Sequence, residues 1–204
     1  MCSKVTIKPK KKVILATMSS SRRASFALLG LEFEAVASNL DEDIISEANP
    51  KKRVAKLSEM KAKAVAEKFK NSVVIGADLI VVLKGKVYEK PKDLKEASAM
   101  LKRFSGKEVE ILAGVTVIDS DSGRKLSKVK SCKVKFMKLS DCLIENYINN
   151  YPVLSFSGAF DGNAVLIFSE NISGDALFYS GLPLAEVYKM LVKLGALDDS
   201  TKSE

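Results

Sequence analysis

The chain has 204 residues, of which 47% are hydrophobic, and a formal net charge of +8. A chain of this length can bury one substantial core, so we expect one domain over residues 1–204. There is no histidine, which excludes Ser-His and Cys-His nucleophiles and removes the commonest metal ligand. The three cysteines are widely spaced and form no Cys-x-x-Cys pair, so neither a disulfide framework nor a zinc site is indicated.

The two ends of the chain are charged. Residues 1–12 are basic and residues 195–204 are acidic, and we expect both segments to be flexible tails. No apolar run approaches the roughly 20 residues of a membrane helix or resembles a signal peptide, so we expect a cytoplasmic protein with no membrane partner. Aromatic residues make up only 7% of the chain, which argues against nucleic acid as a partner. The basic excess serves either solubility alone or a small phosphate-bearing ligand.

In chain order, hydrophobic periodicity first predicts two short strands and two helices. The strands are expected at 13–16 and 33–37, and the helices at 22–29 and from 50 to about 69. Asn49 and Pro50 supply an N-cap followed by proline at the first helical position, which marks the start of the long helix.

The middle of the chain is rich in strand signals. Residues 73–75 and 79–83 are apolar and β-branched, and Lys84-Gly85-Lys86 indicates a hairpin turn. A helix is expected at 92–104. Two strand-like runs, 109–118 and 126–137, are joined by a polar turn with glycine and predict a long antiparallel hairpin.

The last third completes the predicted fold. Ser140 is expected to cap a helix that ends near 149, followed by a strand at 164–168 and a final helix at 184–194. Helices and strands that alternate around a central hairpin predict an α/β fold with a sheet of mixed direction.

Asp78 is the most informative residue, because it lies inside the apolar run 73–83. Burying an ionised carboxylate without a cation or hydrogen-bond donors costs several kcal/mol. The sequence leaves two interpretations open with equal weight: a strand aspartate bonded to turn amides, or a catalytic carboxylate.

Three further polar features could join Asp78 in one site. The loop that holds Ser19 and Arg22 lies between a strand and a helix, where it either caps the helix or surrounds phosphate oxygens. Lys61 falls on the inward face of the long helix, where it either extends to solvent along its stem, the commoner case, or meets an anion. Glu42 and Lys90, taken singly, are ordinary surface residues.

Together these groups could assemble a magnesium and triphosphate site. Carboxylate oxygens suit Mg²⁺ or Mn²⁺. Without histidine, a carboxylate is the expected base for activating water against a phosphoanhydride.

The order of motifs resembles the Maf family of nucleotide pyrophosphatases, related in fold to the inosine triphosphate pyrophosphatases, over about 13–194. The family patterns L-A-S-x-S-P-R-R, D-E, L-A-x-x-K-A, G-A-D-T, G-K-P, E-A-x-x-M-L and G-L-P-L correspond here to 15–22, 41–42, 57–62, 76–79, 89–91, 96–101 and 181–184. Each match is weak alone, but their order and spacing are specific.

The resemblance implies a twisted, elongated mixed sheet flanked by helices, with two lobes around a central cleft. It implies hydrolysis of nucleoside triphosphates, of the pyrimidine or modified class, to monophosphate and pyrophosphate with Mg²⁺ or Mn²⁺. Asp78 would accept the proton of water and bind the metal with Glu42. The phosphate-binding side chains would be Ser19, Arg22, Lys61 and Lys90. The resemblance is also compatible with a homodimer.

Departures from the family pattern bear on substrate choice. Ser21 stands where the family has the first arginine of its pair, Leu79 where it has threonine, and Asn163 where it has glutamine. The family's D-K dipeptide falls on Ser155 and Phe156. These changes keep an alternative open: a catalytically weak or inactive nucleotide-binding protein with a regulatory role.

Overall fold

The computed structural model describes residues 7–42, 45–174 and 181–198. Within these residues the strands are β1 (Lys12–Leu15), β2 (Glu34–Ala35), β3 (Ser72–Leu83), β4 (Lys86–Tyr88), β5 (Glu108–Asp119), β6 (Lys125–Phe136) and β7 (Ser169–Gly174). The α-helices are α1 (Ser20–Ala27), α2 (Pro50–Ala66), α3 (Leu94–Phe104), α4 (Asp141–Asn150), α5 (Gly162–Phe168) and α6 (Leu184–Lys193). Two 3₁₀ turns, Val153–Ser155 and Ser157–Ala159, precede α5.

The strands form one sheet of mixed direction, which confirms the predicted fold class. Its order is β2-β1-β3-β5-β6-β7, with β4 also paired to β3. β1 runs parallel to β2 and β3, whereas β3, β5, β6 and β7 form antiparallel pairs. The predicted 109–118 and 126–137 hairpin is confirmed as β5 and β6.

One edge of β3 is divided between two neighbours. β1 pairs with β3 as far as Ile75, and β4 takes over that edge only from Val81. β5 pairs with the opposite edge from Val73 to Val82. Within the described residues, the stretch 76–80 therefore has no strand partner on one side, and Asp78 lies at its centre.

The core is likewise divided at the level of Asp78. On the α2 face of the sheet, Val74 and Ile80 belong to two separate apolar clusters. On the other face, Ile75 packs with α1 and α6, whereas Val81 packs with α3, α4 and α5. The apolar core is therefore divided along β3 at the polar residue Asp78, and this division agrees with the expected cleft.

The backbone of helix α2 lies close to the backbone of the sheet, because the sheet residues that face the helix here are glycines. A Cβ atom at Gly76 would lie 2.1 Å from the Ser58 carbonyl oxygen, and one at Gly114 would lie 2.1 Å from the Val54 carbonyl oxygen. Gly114 is the residue of β5 that pairs with Asp78. The two glycines therefore bring α2 directly over the carboxylate.

The predicted strand at 164–168 is wrong, because these residues form most of α5. Asp161 caps this helix by accepting a hydrogen bond from the Ala164 N–H. Ala164 and Phe168 are buried, whereas Leu166 and Ile167 are 62% and 48% exposed. This is a helical pattern of burial, hidden in the sequence because every position is apolar. The strand comes next, as the polar edge strand β7.

Parts of the two segments that the sequence predicts as flexible tails make contacts in the described structure. Ile7 forms a β-bridge with Leu31, and the Lys10 N–H donates to the Ala196 carbonyl. Ala196 and Leu197 are buried in the apolar cluster around α6. Residues 1–6 and 199–204 lie outside the described residues. In the described part of the chain, every helix is too short or too polar to cross a membrane.

Candidate active site

A cavity of about 410 Å³ opens at the unpaired stretch of β3, within the size range of small-molecule sites. It is walled by β3, α2, the loop into α1, the segment after β4 and the 3₁₀ turns before α5. Eight of the residues expected from the sequence line it together: Ser19, Ser21, Arg22, Glu42, Lys61, Asp78, Leu79 and Lys90.

Lys61 and Asp78 form a buried ion pair at the centre of the cavity. The Lys61 Nζ atom lies 2.7 Å from Asp78 Oδ1, and each side chain is only 7% exposed. Lys61 Nζ also lies 2.9 Å from Glu42 Oε1, whose side chain is half exposed. Of the alternatives left open by the sequence, Lys61 therefore meets anions, and Asp78 has an ammonium as its partner.

Asp78 faces α2 because of strand alternation. Gly76, Asp78 and Ile80 point to one side of β3, and Gly76 contacts α2 there. Lys61 follows Leu57 by one helical turn, so the same face of α2 presents a buried apolar side chain and then the ammonium.

The loop before α1 both caps the helix and lines the cavity. The Ser19 hydroxyl accepts a hydrogen bond from the Arg22 N–H, 3.5 Å away, and lies 3.0 Å from the Ser21 hydroxyl. The Arg22 Nε–H donates to the Gly181 carbonyl at 3.3 Å, which links this loop to the residues before α6. The capping and phosphate-binding interpretations are therefore compatible.

Arg22 is half-buried, and its charge faces the two carboxylates. Burial lowers the pKa of the Arg22 guanidinium from its ordinary value, while the charges of Asp78 and Glu42 act in the opposite direction. An arginine stays protonated despite such a shift. The cavity therefore contains a permanent cation beside its acidic centre.

Asn163 is not brought into this group. It lies at the start of α5, where its side-chain amide donates to Asp161 Oδ2 at 3.0 Å. The cavity lining holds Ser157 and Phe160 from the segment before it instead. Ser155 and Phe156, noted as departures from the family pattern, also line the cavity.

The sequence reasoning missed two charged residues of the cavity, Arg53 and Glu89. Their side chains form an ion pair. A signal for Arg53 was present, since it precedes Leu57 by four positions and Lys61 by eight, which places all three on one face of α2. Glu89 carried no comparable signal, because it follows a short strand in an irregular segment.

The residues of the cavity fit a divalent cation held by oxygen atoms. Glu42 and Asp78 both contact the Lys61 ammonium, so their carboxylates converge on one point. No cluster of three or more acidic or cysteine side chains suited to a metal occurs in the described ranges. Two carboxylates, with the remaining ligands from phosphate and water, match the usual binding of Mg²⁺.

Comparisons with known proteins agree with the motif order. A family model described as Maf-like protein matches residues 12–194. A dTTP/UTP pyrophosphatase from Thermoanaerobacter sp. (strain X514) is 39% identical over 183 residues, which cover 88% of this chain and 95% of that protein. A dTTP/UTP pyrophosphatase from Pyrococcus furiosus is 38% identical over 190 residues, covering 91% of this chain and 96% of that protein.

Among solved structures, a HAM1 protein from Coxiella burnetii covers 90% of this chain and 99% of its own length, with 11% identity and a TM-score of 0.46. That likeness is too distant to bear on function. The family model and the curated relatives span nearly the whole described fold, and they confirm the resemblance drawn from the motifs. The chain belongs to the Maf-like protein family.

Proposed function

We propose that this protein is a pyrophosphatase that hydrolyses nucleoside triphosphates to nucleoside monophosphate and pyrophosphate. The observation that carries the proposal is the buried Lys61–Asp78 pair, which places a carboxylate in a cleft lined by cationic side chains. Relatives similar over most of their length are named dTTP/UTP pyrophosphatases, which supports pyrimidine triphosphates as the substrate class.

Asp78 acts as the general base in this proposal. Its carboxylate lines the cavity at the stretch of β3 where no strand covers it, so a water molecule beside the substrate can reach it. The proton of that water passes to Asp78 as the oxygen attacks the α-phosphorus and the bond to the leaving pyrophosphate breaks. The Lys61 ammonium fixes the position of the carboxylate.

Cationic and hydroxyl groups hold the phosphates. The Ser19 hydroxyl and the Arg22 guanidinium lie at the first turn of α1, where free backbone N–H groups also favour anions. Lys61 and Lys90 line the same cavity. Their positive charge offsets the charge that accumulates on the departing pyrophosphate.

Glu42 and Asp78 would hold the divalent cation, which would supply Lewis-acid stabilisation of the phosphate oxygens. The charge balance of the cavity supports this role. Its lining contains four cationic side chains, Arg22, Arg53, Lys61 and Lys90, and three acidic ones, Glu42, Asp78 and Glu89. These charges nearly cancel, so a triphosphate brings more negative charge than the side chains alone neutralise.

The second candidate is a nucleotide-binding protein that does not catalyse hydrolysis. The changes at Ser21 and Leu79, both of which line the cavity, favour this alternative. A cytoplasmic location and a homodimer stay predictions under either function.

A panel of canonical and modified triphosphates separates the two candidates. Pyrophosphate release and thermal stability are measured with each nucleotide in the presence of Mg²⁺ or Mn²⁺. A pyrophosphatase releases pyrophosphate, with the highest rates expected for UTP and dTTP. Thermal stabilisation without any pyrophosphate release would favour the regulatory protein instead.

A further inference from the structure

The cationic side chains of the cleft differ in the groups that hold them. Lys61 and Arg53 form ion pairs with carboxylates. Arg22 is held by a neutral group instead, because its Nε–H donates to the main-chain carbonyl of Gly181 at 3.3 Å. Among the ion pairs of the described ranges, none includes Arg22. Its positive charge is therefore not cancelled by close contact with an acid.

Both ends of this hydrogen bond are anchored in the core. Leu182, next to Gly181 in the chain, is fully buried in the apolar cluster around α6. Pro183 restricts the backbone of Leu182 and caps α6. Phe26, one helical turn after Arg22 on α1, is buried in the same cluster. The carbonyl and the arginine are therefore fixed by one part of the core.

Position 181 also leaves the space that the arginine occupies. A Cβ atom there would lie 3.1 Å from Arg22 Nε, 3.5 Å from Arg22 Cγ and 3.7 Å from Leu79 Cδ1. The first distance is shorter than ordinary van der Waals contact, so a side chain at 181 would displace the guanidinium. The φ angle of Gly181 is +86°, in the left-handed region that favours glycine.

The charges of the cleft explain why Arg22 needs such a holder. Asp78 and Glu42 act electrostatically on its guanidinium, and arginine readily forms bidentate pairs with carboxylates. An arginine that moved onto either acid would be neutralised. It would also occupy a carboxylate that the proposed function assigns to water or to the divalent cation. A carbonyl is neutral, so it can hold the guanidinium without cancelling its charge.

We propose that Gly181 is the positioning residue of Arg22. Its carbonyl fixes the guanidinium through Nε, and its missing side chain leaves room for the group, so that the N–H donors of the two Nη groups are presented to the phosphates of the substrate. This inference rests on the proposed function, and it adds the group that orients one of the phosphate-binding side chains.

The test measures kcat and KM for UTP in Gly181→Ala. The methyl group displaces Arg22, so kcat/KM should fall about tenfold or more, with most of the change in KM. The matched control is Gly85→Ala. Gly85 has a φ of +80°, close to that of Gly181, but no atom lies within 4 Å of its Cβ position. The control therefore introduces the same backbone strain and should leave kcat and KM unchanged.

A double-mutant cycle separates positioning from a general structural role. In the Arg22→Met background there is no guanidinium to orient, so adding Gly181→Ala should change kcat/KM by less than about twofold. If Gly181→Ala has the same effect with and without the arginine, the glycine acts only on the structure and the proposal is wrong.

Arg22→Lys provides a second test that does not depend on the folding of Gly181→Ala. Lysine keeps the positive charge but has no Nε donor for the Gly181 carbonyl. The kcat/KM for UTP should therefore also fall about tenfold or more, while circular dichroism should show an intact fold. A folded Arg22→Lys variant with wild-type kcat/KM would overturn the proposal.

Binding measurements distinguish failure of this proposal from failure of the proposed function. If the wild type binds UTP with Mg²⁺ but releases no pyrophosphate, the proposed function fails. The role of Gly181 is then decided by calorimetry: Gly181→Ala should raise Kd for UTP about tenfold with Arg22 present and leave it unchanged in the Arg22→Met background. Equal changes in the two backgrounds, or a wild type that does not bind UTP, would reject the role.

Discussion

Lys61 is the residue on which the geometry of the cleft depends, because it contacts Asp78 and Glu42 at once. An ammonium buried on the inner face of a helix is costly unless anions compensate it. Here the compensation comes from two directions, from the centre of β3 and from the loop after β2. A single side chain therefore fixes both carboxylates of the proposed site.

Removing that ammonium should destabilise the protein strongly. Lys61→Met keeps the apolar stem but removes the ammonium that contacts the buried Asp78 carboxylate, and breaking a buried ion pair costs about 3–5 kcal/mol. The free energy of unfolding, measured by urea denaturation, should fall by roughly this amount. Part of the loss should return in Lys61→Met/Asp78→Asn.

The control is Lys56→Met, at an exposed position of the same helix. It should change the free energy of unfolding by less than about 0.5 kcal/mol, as surface substitutions usually do. Equal losses from the two methionine variants would show that the ion pair contributes nothing to stability.

At the scale of elements, the contact between α2 and the sheet positions the site. Gly76 and Gly114 leave room for the helix backbone, and the Ser58 hydroxyl forms a buried hydrogen bond of 3.0 Å with the Thr116 hydroxyl of β5. The two glycines therefore allow the helix to approach the sheet closely, and the hydrogen bond fixes its position along the sheet.

Gly76→Ala should move α2 away from β3. The new Cβ atom would lie 2.1 Å from a backbone oxygen, which no rotamer change relieves, so we expect a loss of about 3 kcal/mol or more. Pyrophosphate release should also fall, because Lys61 moves with the helix. Gly85→Asn is the comparison: Gly85 has no atoms near its Cβ position, and asparagine tolerates its positive φ.

If Gly76→Ala retains wild-type stability and activity, the close helix-to-sheet contact is not what positions Lys61.

The turn between β5 and β6 depends on a second buried carboxylate, Asp119. Its Oδ1 accepts hydrogen bonds from the backbone N–H groups of Asp121 and Ser122, and its Oδ2 from the Lys11 ammonium at 2.7 Å. Burial alone would raise the pKa of Asp119, but these donors outweigh it, so the pKa lies below its ordinary value of 3.8.

This shift predicts the pH dependence of an Asp119→Asn variant. Because the folded pKa is lowered, the ionised carboxylate stabilises the fold fully well above pH 3.8 and loses that effect as the pH falls through the folded pKa. At pH 7 the variant should melt about 2–4 °C below the wild type. The difference should shrink as the pH falls below 4 and persist up to pH 8; a constant difference at all pH values would contradict the assignment.

At the scale of the whole molecule, the cleft lies where the apolar core is divided into two halves along β3. Val74 and Ile75 belong to one half, and Ile80 and Val81 to the other. Asp78 lies between them on the same strand. The long strand β3 therefore contributes side chains both to the apolar core and to the lining of the proposed site.

Much of this arrangement could be predicted from the sequence, because a charge in an apolar run is conspicuous. Asp78 was recognised in that way, whereas helical spacing placed Lys61 on the inward face of α2 without deciding between solvent and an anion as its partner. The alternation of elements indicated the mixed sheet. The helix at 164–168 was misread because five consecutive apolar residues carry no period. The sequence marked Phe156 only as a departure from the family pattern. That Phe156 lines the cavity could not be predicted, because its position depends on how the irregular 3₁₀ turns fold back onto β3.

The most direct test is pyrophosphate release by wild type and Asp78→Asn, with the exposed Asp141→Asn on α4 as control. Lys61 keeps Glu42 as a partner in the Asp78 variant, so the fold should persist, which circular dichroism can check. We predict release from UTP by the wild type and by Asp141→Asn, and a rate at least 100-fold lower for Asp78→Asn, as expected when a general base is lost. Equal rates for wild type and Asp78→Asn would contradict the account.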